Sequence, residues 1–248
     1  MFISNLLTPS VITLCLTAGL QAHPITNTTT SSYPKNTRNL TVADVCFLGD
    51  VHSKTTYVKR DLGFQGQLGP YILLTYGDTM YSDSSYDDTF RGMTSDSMAL
   101  ATHDPLEVID PVLEENGYPP QFCPLHKSYG EEPSECALGI TNVVETNPGE
   151  GILFFLLNHR PGGVNNLRGA GVATVSLSDA YPPVPKVTRL DRLWWDGDTE
   201  PWYGDVCALR HGEYIYGYGH AKDDPFVYLT RVHWQSATWK DCYQYWMG

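Results

Sequence analysis

The chain has 248 residues, with 28 acidic against 16 basic side chains and a net charge of −12. That balance excludes the basic footprint needed to bind nucleic acid or an anionic membrane surface. A hydrophobic content of 42% provides for a globular core, and no phosphate loop or dinucleotide fingerprint is present, so no cofactor is expected.

Residues 1–22 carry no charged side chain, hold an apolar run over 11–20 and end in Leu-Gln-Ala before His23-Pro24, the pattern of a cleavable secretory signal. The run is too short for a membrane span. A secreted, extracellular protein is therefore expected, with no membrane attachment after cleavage. Residues 23–41 are rich in Ser, Thr and Asn and contain the sequons Asn27-Thr28-Thr29 and Asn39-Leu40-Thr41. They read as a flexible leader glycosylated at Asn27 and Asn39. Residues 42–248 then read as one domain, expected to be monomeric.

Within that domain, apolar or aromatic runs of strand length fall at 71–76, 151–157, 171–177, 213–218 and 225–232, separated by Gly, Pro, Asn and Asp clusters. Short helices are expected only at 93–100 and 105–115, where Pro105, Pro111 and Pro119-Pro120 limit their length. The fold class is all-β. Aromatic-glycine pairs recur at strand ends in Tyr76-Gly77-Asp78, Trp195-Asp196-Gly197-Asp198 and Tyr216-Gly217-Tyr218-Gly219. Such units suggest the blades of a β-propeller, four to five in number, with a β-sandwich as the alternative.

Asp61 and Asp78 bracket a glycine-rich turn and the apolar strand 71–76. Cleaving a sugar acetal needs two carboxylates at fixed separation, one giving a proton and the other attacking or activating water. Asp78, following apolar and aromatic residues, suits the drier general acid, and Asp61 the nucleophile or base; the roles are reversible at this level. Both residues also fit plain structural roles, Asp78 in an ordinary turn and Asp61 paired with Arg60.

The segment 194–205 concentrates aromatics and acids, a composition suited to sugar rings. Strand alternation would put one of Trp194 and Trp195 inside. Trp195 and Trp202, with Arg60 beside the aspartates, are the expected substrate contacts. Five cysteines follow the signal, and Cys123 and Cys136, flanking a short loop, are the expected disulfide. No zinc spacing occurs, and Asp83, Asp87 and Asp88 lack the pattern of a calcium loop, so no metal is expected. The histidines fall in no catalytic or metal-binding arrangement, and no nucleophile elbow is present.

Arg60-Asp61-Leu62-Gly63 followed by Tyr76-Gly77-Asp78-Thr79 resembles the opening of the DUF4185 family, secreted five-bladed β-propellers that include endo-D-arabinanases. Ser95-Asp96-Ser97, Val227-Tyr228-Leu229-Thr230-Arg231-Val232 and Tyr243-Gln244-Tyr245-Trp246-Met247-Gly248 are similar to later segments of that family, in the same order. The resemblance implies a retaining glycoside hydrolase acting on arabinan or a related cell-wall polysaccharide, with Asp61 and Asp78 as the catalytic pair. Family members continue beyond the Tyr-x-Tyr-Trp segment, so the propeller is expected to be incomplete or to close by another route. A non-catalytic carbohydrate-binding propeller is the rival expectation. A different furanosidase would need a Glu acid, with Glu145, Glu200 and Glu213 as candidates.

Overall fold

A computed structural model describes residues 46–84 and 89–246. The expected signal, the expected leader with Asn27 and Asn39, and the acids Asp87 and Asp88 lie outside the described residues. The body described below is Leu48–Gly248.

The body is all-β. Its first part contains β1 (His52–Ser53), β2 (Val58–Arg60), β3 (Phe64–Leu68), β4 (Tyr71–Tyr76), β5 (Thr79–Tyr81), β6 (Met93–Thr94), β7 (Ser97–Ala101) and β8 (Glu107–Ile109). They form a five-stranded sheet in the order β1-β8-β7-β4-β3 and a small sheet β2-β5-β6. Next come β9 (Cys136–Ile140), β10 (Val144–Asn147), β11 (Glu150–His159), β12 (Asn166–Leu177), β13 (Pro185–Arg189) and β14 (Trp195–Asp196), built around the run β10-β11-β12-β13. The last sheet is a four-stranded meander of β15 (Cys207–His211), β16 (Tyr214–Ala221), β17 (Asp224–His233) and β18 (Gln244–Tyr245). Neighbours pair antiparallel except β1 with β8, and no sheet closes on itself among the described strands.

The two halves of the core meet at β11. Successive side chains of a strand point to opposite faces. Leu153, Phe155 and Leu157 therefore enter one cluster with Leu68, Leu73, Leu100 and Leu138, while Ile152 and Phe154 enter another with Trp194, Trp195, Ile215, Val232 and Tyr243. A strand covered on both faces reads as a continuous apolar run, which is how 151–157 is legible in the sequence.

The two expected helices are corrected. Met93–Thr94 and Ser97–Ala101 are strands, as is Glu107–Ile109, and helical structure among the described residues is limited to 3-10 turns. Met98, Ala99 and Leu100 are consecutive and all buried, the signature of a strand covered on both sides. No described helix is long and apolar enough to cross a membrane.

Candidate functional site

Pairing of β2 with β5 sets Val58 opposite Tyr81, Lys59 opposite Met80 and Arg60 opposite Thr79. One step further, the Asp61 amide donates to the Asp78 carbonyl at 2.8 Å and the Gly77 amide donates to the Asp61 carbonyl at 2.9 Å. Asp61 thus faces two residues at once, as in a β-bulge. Arg60 and Thr79, the last regular pair before it, turn inward, and the bulge re-aims the backbone at Asp61 and Asp78. Asp61 is exposed and Asp78 half-buried. The Asp61 carboxylate accepts the Leu62 amide at 2.8 Å, and Leu62 itself takes a left-handed backbone (φ 61°).

Under this edge lies a buried charge pair. Arg60 is bonded to Asp110, with side-chain exposures of 8% and 0%. Ser53 and Thr55 hydroxyls donate to the second Asp110 oxygen at 2.5 and 3.0 Å, and the Asp110 amide donates to Thr55 Oγ1 at 2.8 Å. Arg60 Nε reaches Ser97 Oγ at 3.3 Å, Ser97 shares a 2.7 Å hydrogen bond with Thr79, and the guanidinium lies 4.7 Å from the Tyr76 ring centre. Burial raises the Tyr76 phenol pKa despite the nearby cation. Arg60, expected as a substrate contact, turns its guanidinium inward to Asp110 and Ser97, and it braces the strand that leads into Asp61.

Trp195 is corrected as well. It is wholly buried and Trp194 nearly so, and the Trp195 indole donates to the Tyr245 hydroxyl at 3.0 Å. Alternation fails here because the strand is only two residues long, and Trp194 precedes it. Both rings pack edge-on against Tyr243. Trp202 is half-buried, and its indole is tied to the Gly197 carbonyl at 3.1 Å.

Cys123 and Cys136 are buried and unbridged, which overturns the expected disulfide. Their loop is held by an ion pair. Arg189 binds both oxygens of Glu131 at 2.5 and 2.9 Å, each side chain is fully buried, and Glu131 also accepts the His126 amide at 2.9 Å.

Three further carboxylates serve local structure. Glu145 accepts the Gly69 and Gly149 amides, Glu200 accepts the Asp196 amide, and Asp83 binds Arg91. No cluster of three metal-binding side chains occurs among the described residues.

Three further features stand out. Asp96 is fully buried and accepts the amides of Phe122 and Cys123, both at 2.8 Å, and the Gln121 side chain at 3.1 Å. Burial outweighs these bonds and lifts its pKa to about 7. Asp205 accepts the His220 amide at 2.8 Å and holds His220 Nδ1 at 2.9 Å. Finally, Tyr214, Tyr216 and Tyr218 alternate with buried Ile215, Gly217 and Gly219 on β16. The period of two was visible in the sequence as Tyr-x-Tyr-Gly-Tyr-Gly, and it marks a strand with two unlike faces.

Two cavities, of about 210 and 390 Å³, are lined by Cys136, His159 and Arg168 and by Thr146, Thr174 and Trp234 among others; neither aspartate lines them. No protein-family model matches the chain, and no curated protein matches it.

Proposed function

We propose that the chain is a secreted glycoside hydrolase-like protein acting on arabinan or a related cell-wall polysaccharide, with Asp61 and Asp78 as its carboxylate pair. The observation that carries this reading is the hydrogen bond from the Asp61 amide to the Asp78 carbonyl at the end of the β2–β5 pairing, which brings the two residues side by side in the backbone. Their unequal exposure favours half-buried Asp78 as general acid and exposed Asp61 as nucleophile or base. A DUF4185-type propeller is the proposed architecture. It draws support from three antiparallel runs of blade size, β3-β4-β7-β8, β10-β11-β12-β13 and β15-β16-β17-β18. Retention of anomeric configuration is proposed, which requires carboxyl groups about 5 Å apart in the working enzyme.

The test is release of oligosaccharides from D-arabinan and a panel of other polysaccharides, read by mass, for the wild type, Asp78→Asn and Asp61→Asn. Loss of about 10²-fold or more in turnover, with an unchanged unfolding midpoint, is expected for each variant. Equal rates in variant and wild type would remove the proposal.

A second reading, a carbohydrate-binding protein without turnover, is favoured by the fact that the two cavities described are lined by neither aspartate. It predicts glycan binding indifferent to both substitutions and no product from any substrate.

A further inference from the structure

The outer face of the last sheet follows from its register. Tyr218 opposes Cys207 and Leu229, Tyr216 opposes Leu209 and Arg231, and Tyr214 opposes His211 and His233; Arg231 also opposes Gln244. Their neighbours Ile215, Gly217, Thr230 and Val232 are buried, so the tyrosines, Arg231 and, beyond Tyr245, Trp246 occupy the opposite face. Trp246 is 68% exposed.

Three properties mark this face. The aromatic rings form a row, with Tyr214 and Tyr216 centres 6.4 Å apart. Arg231 is fixed at its middle: Nε donates to Gln244 Oε1 at 2.8 Å, and the guanidinium lies 4.7 Å from the Tyr214 ring centre. Its terminal nitrogens bond no other described residue. Carboxylates are also absent from every outward position of the four strands, in a chain carrying 28 of them. Carboxylates stand at the rim of the face: Glu213 in the β15–β16 turn, Asp224 at the start of β17, where it accepts from Tyr228, and Asp205, which is bonded to His220. Because a carboxylate only accepts, Nδ1 of His220 is the donor in that bond, and the exposed ring keeps Nε2 free of this contact.

We propose that this face binds an acidic polysaccharide. The tyrosines and Trp246 would take the C–H faces of successive sugar rings, the Arg231 fork a uronate carboxylate, and His220 Nε2 a sugar hydroxyl. Charge complementarity selects the occupant: outward strand positions free of carboxylates around one preorganised guanidinium suit an anionic group in a chain that is otherwise acidic. The proposal extends the polysaccharide reading above to a second surface and rests on that reading for its biological sense, while its geometry is independent of Asp61 and Asp78.

The test is retardation of the full secreted chain in native gels containing polygalacturonate, with neutral arabinan as the comparison polymer. Retardation by polygalacturonate is expected, weakened at least tenfold by Tyr216→Ala and by Arg231→Gln and relieved by salt, with circular dichroism unchanged. Asp78→Asn should be retarded as the wild type is, so loss of turnover and loss of binding separate the two proposals. Three results would overturn this one: no retardation of the wild type, wild-type retardation of both variants, or equal retardation by neutral arabinan that Arg231→Gln leaves intact.

Discussion

Where β2 meets β5, exposed Asp61 and half-buried Asp78 stand over a buried ion pair, Arg60–Asp110, wrapped in hydroxyl groups. The tyrosines of β16 stand over glycines and an aromatic ring instead. A side-chain carbon added at Gly217 would lie 3.1 Å from the Phe154 ring, and one at Gly219 would lie 2.2 Å from the Trp202 carbonyl. The first surface is positioned by charges whose removal leaves an orphan, the second by close backbone packing whose filling leaves no room. The two should therefore break differently, one by truncation and the other by enlargement.

The largest effect is expected at Asp110→Ala, which strands the Arg60 cation in a buried site. Breaking such a pair from one side costs about 3–5 kcal/mol, read as a fall in the urea midpoint. A loss under about 1 kcal/mol would show that water reaches the guanidinium and that the edge is not braced from below.

Asp96 sharpens the same contrast through pH. Its folded pKa of about 7 lies above the unfolded value of about 3.9, so its contribution to stability is fully present below pH 4 and is lost as pH rises through 7. The loss is on the order of 2–4 kcal/mol from one fully buried group. Unfolding midpoints between pH 4 and 7 should flatten in Asp96→Asn relative to the wild type; parallel profiles would refute the assignment.

At the tyrosine face, Gly219→Ala forces a methyl into the Trp202 carbonyl. Overpacking of this kind costs about 1–3 kcal/mol, and thermal unfolding would show it. The smallest stability effect is expected for Tyr216→Ala, within about 0.5 kcal/mol, because the ring is on the outer face. A drop of 2 kcal/mol or more there would mean that the tyrosines hold the sheet together rather than decorate it.

Much of the strand pattern was legible from the sequence. The run 71–76 became β4 with the same ends, and 151–157 became the centre of β11. The helix reading of 93–100 failed because burial on both faces erases any period, and Met98, Ala99 and Leu100 then resemble helix as well as strand. Asp61 and Asp78 could be singled out locally because the segment between them is short enough to fold back on itself. Arg60 could not be read the same way: its partner Asp110 lies 50 positions away, and nothing near Arg60 announces it. Trp195 was misplaced for a similar reason, since its burial depends on Tyr243, Tyr203 and Phe154, contributed by three separate stretches of chain.

The alternation along β16 also separates what this strand can inherit from what it can change. Positions 215, 217 and 219 are committed by Phe154, Trp202 and the core behind them, and 220 by Asp205, while 214, 216 and 218 face outward with few obligations to the interior. Mutations arriving at random along these seven codons would be filtered at every second one. Descendants of this chain should therefore keep the glycines while their outward letters diverge, and a lineage could exchange one ligand for another without ever passing through an unfolded ancestor.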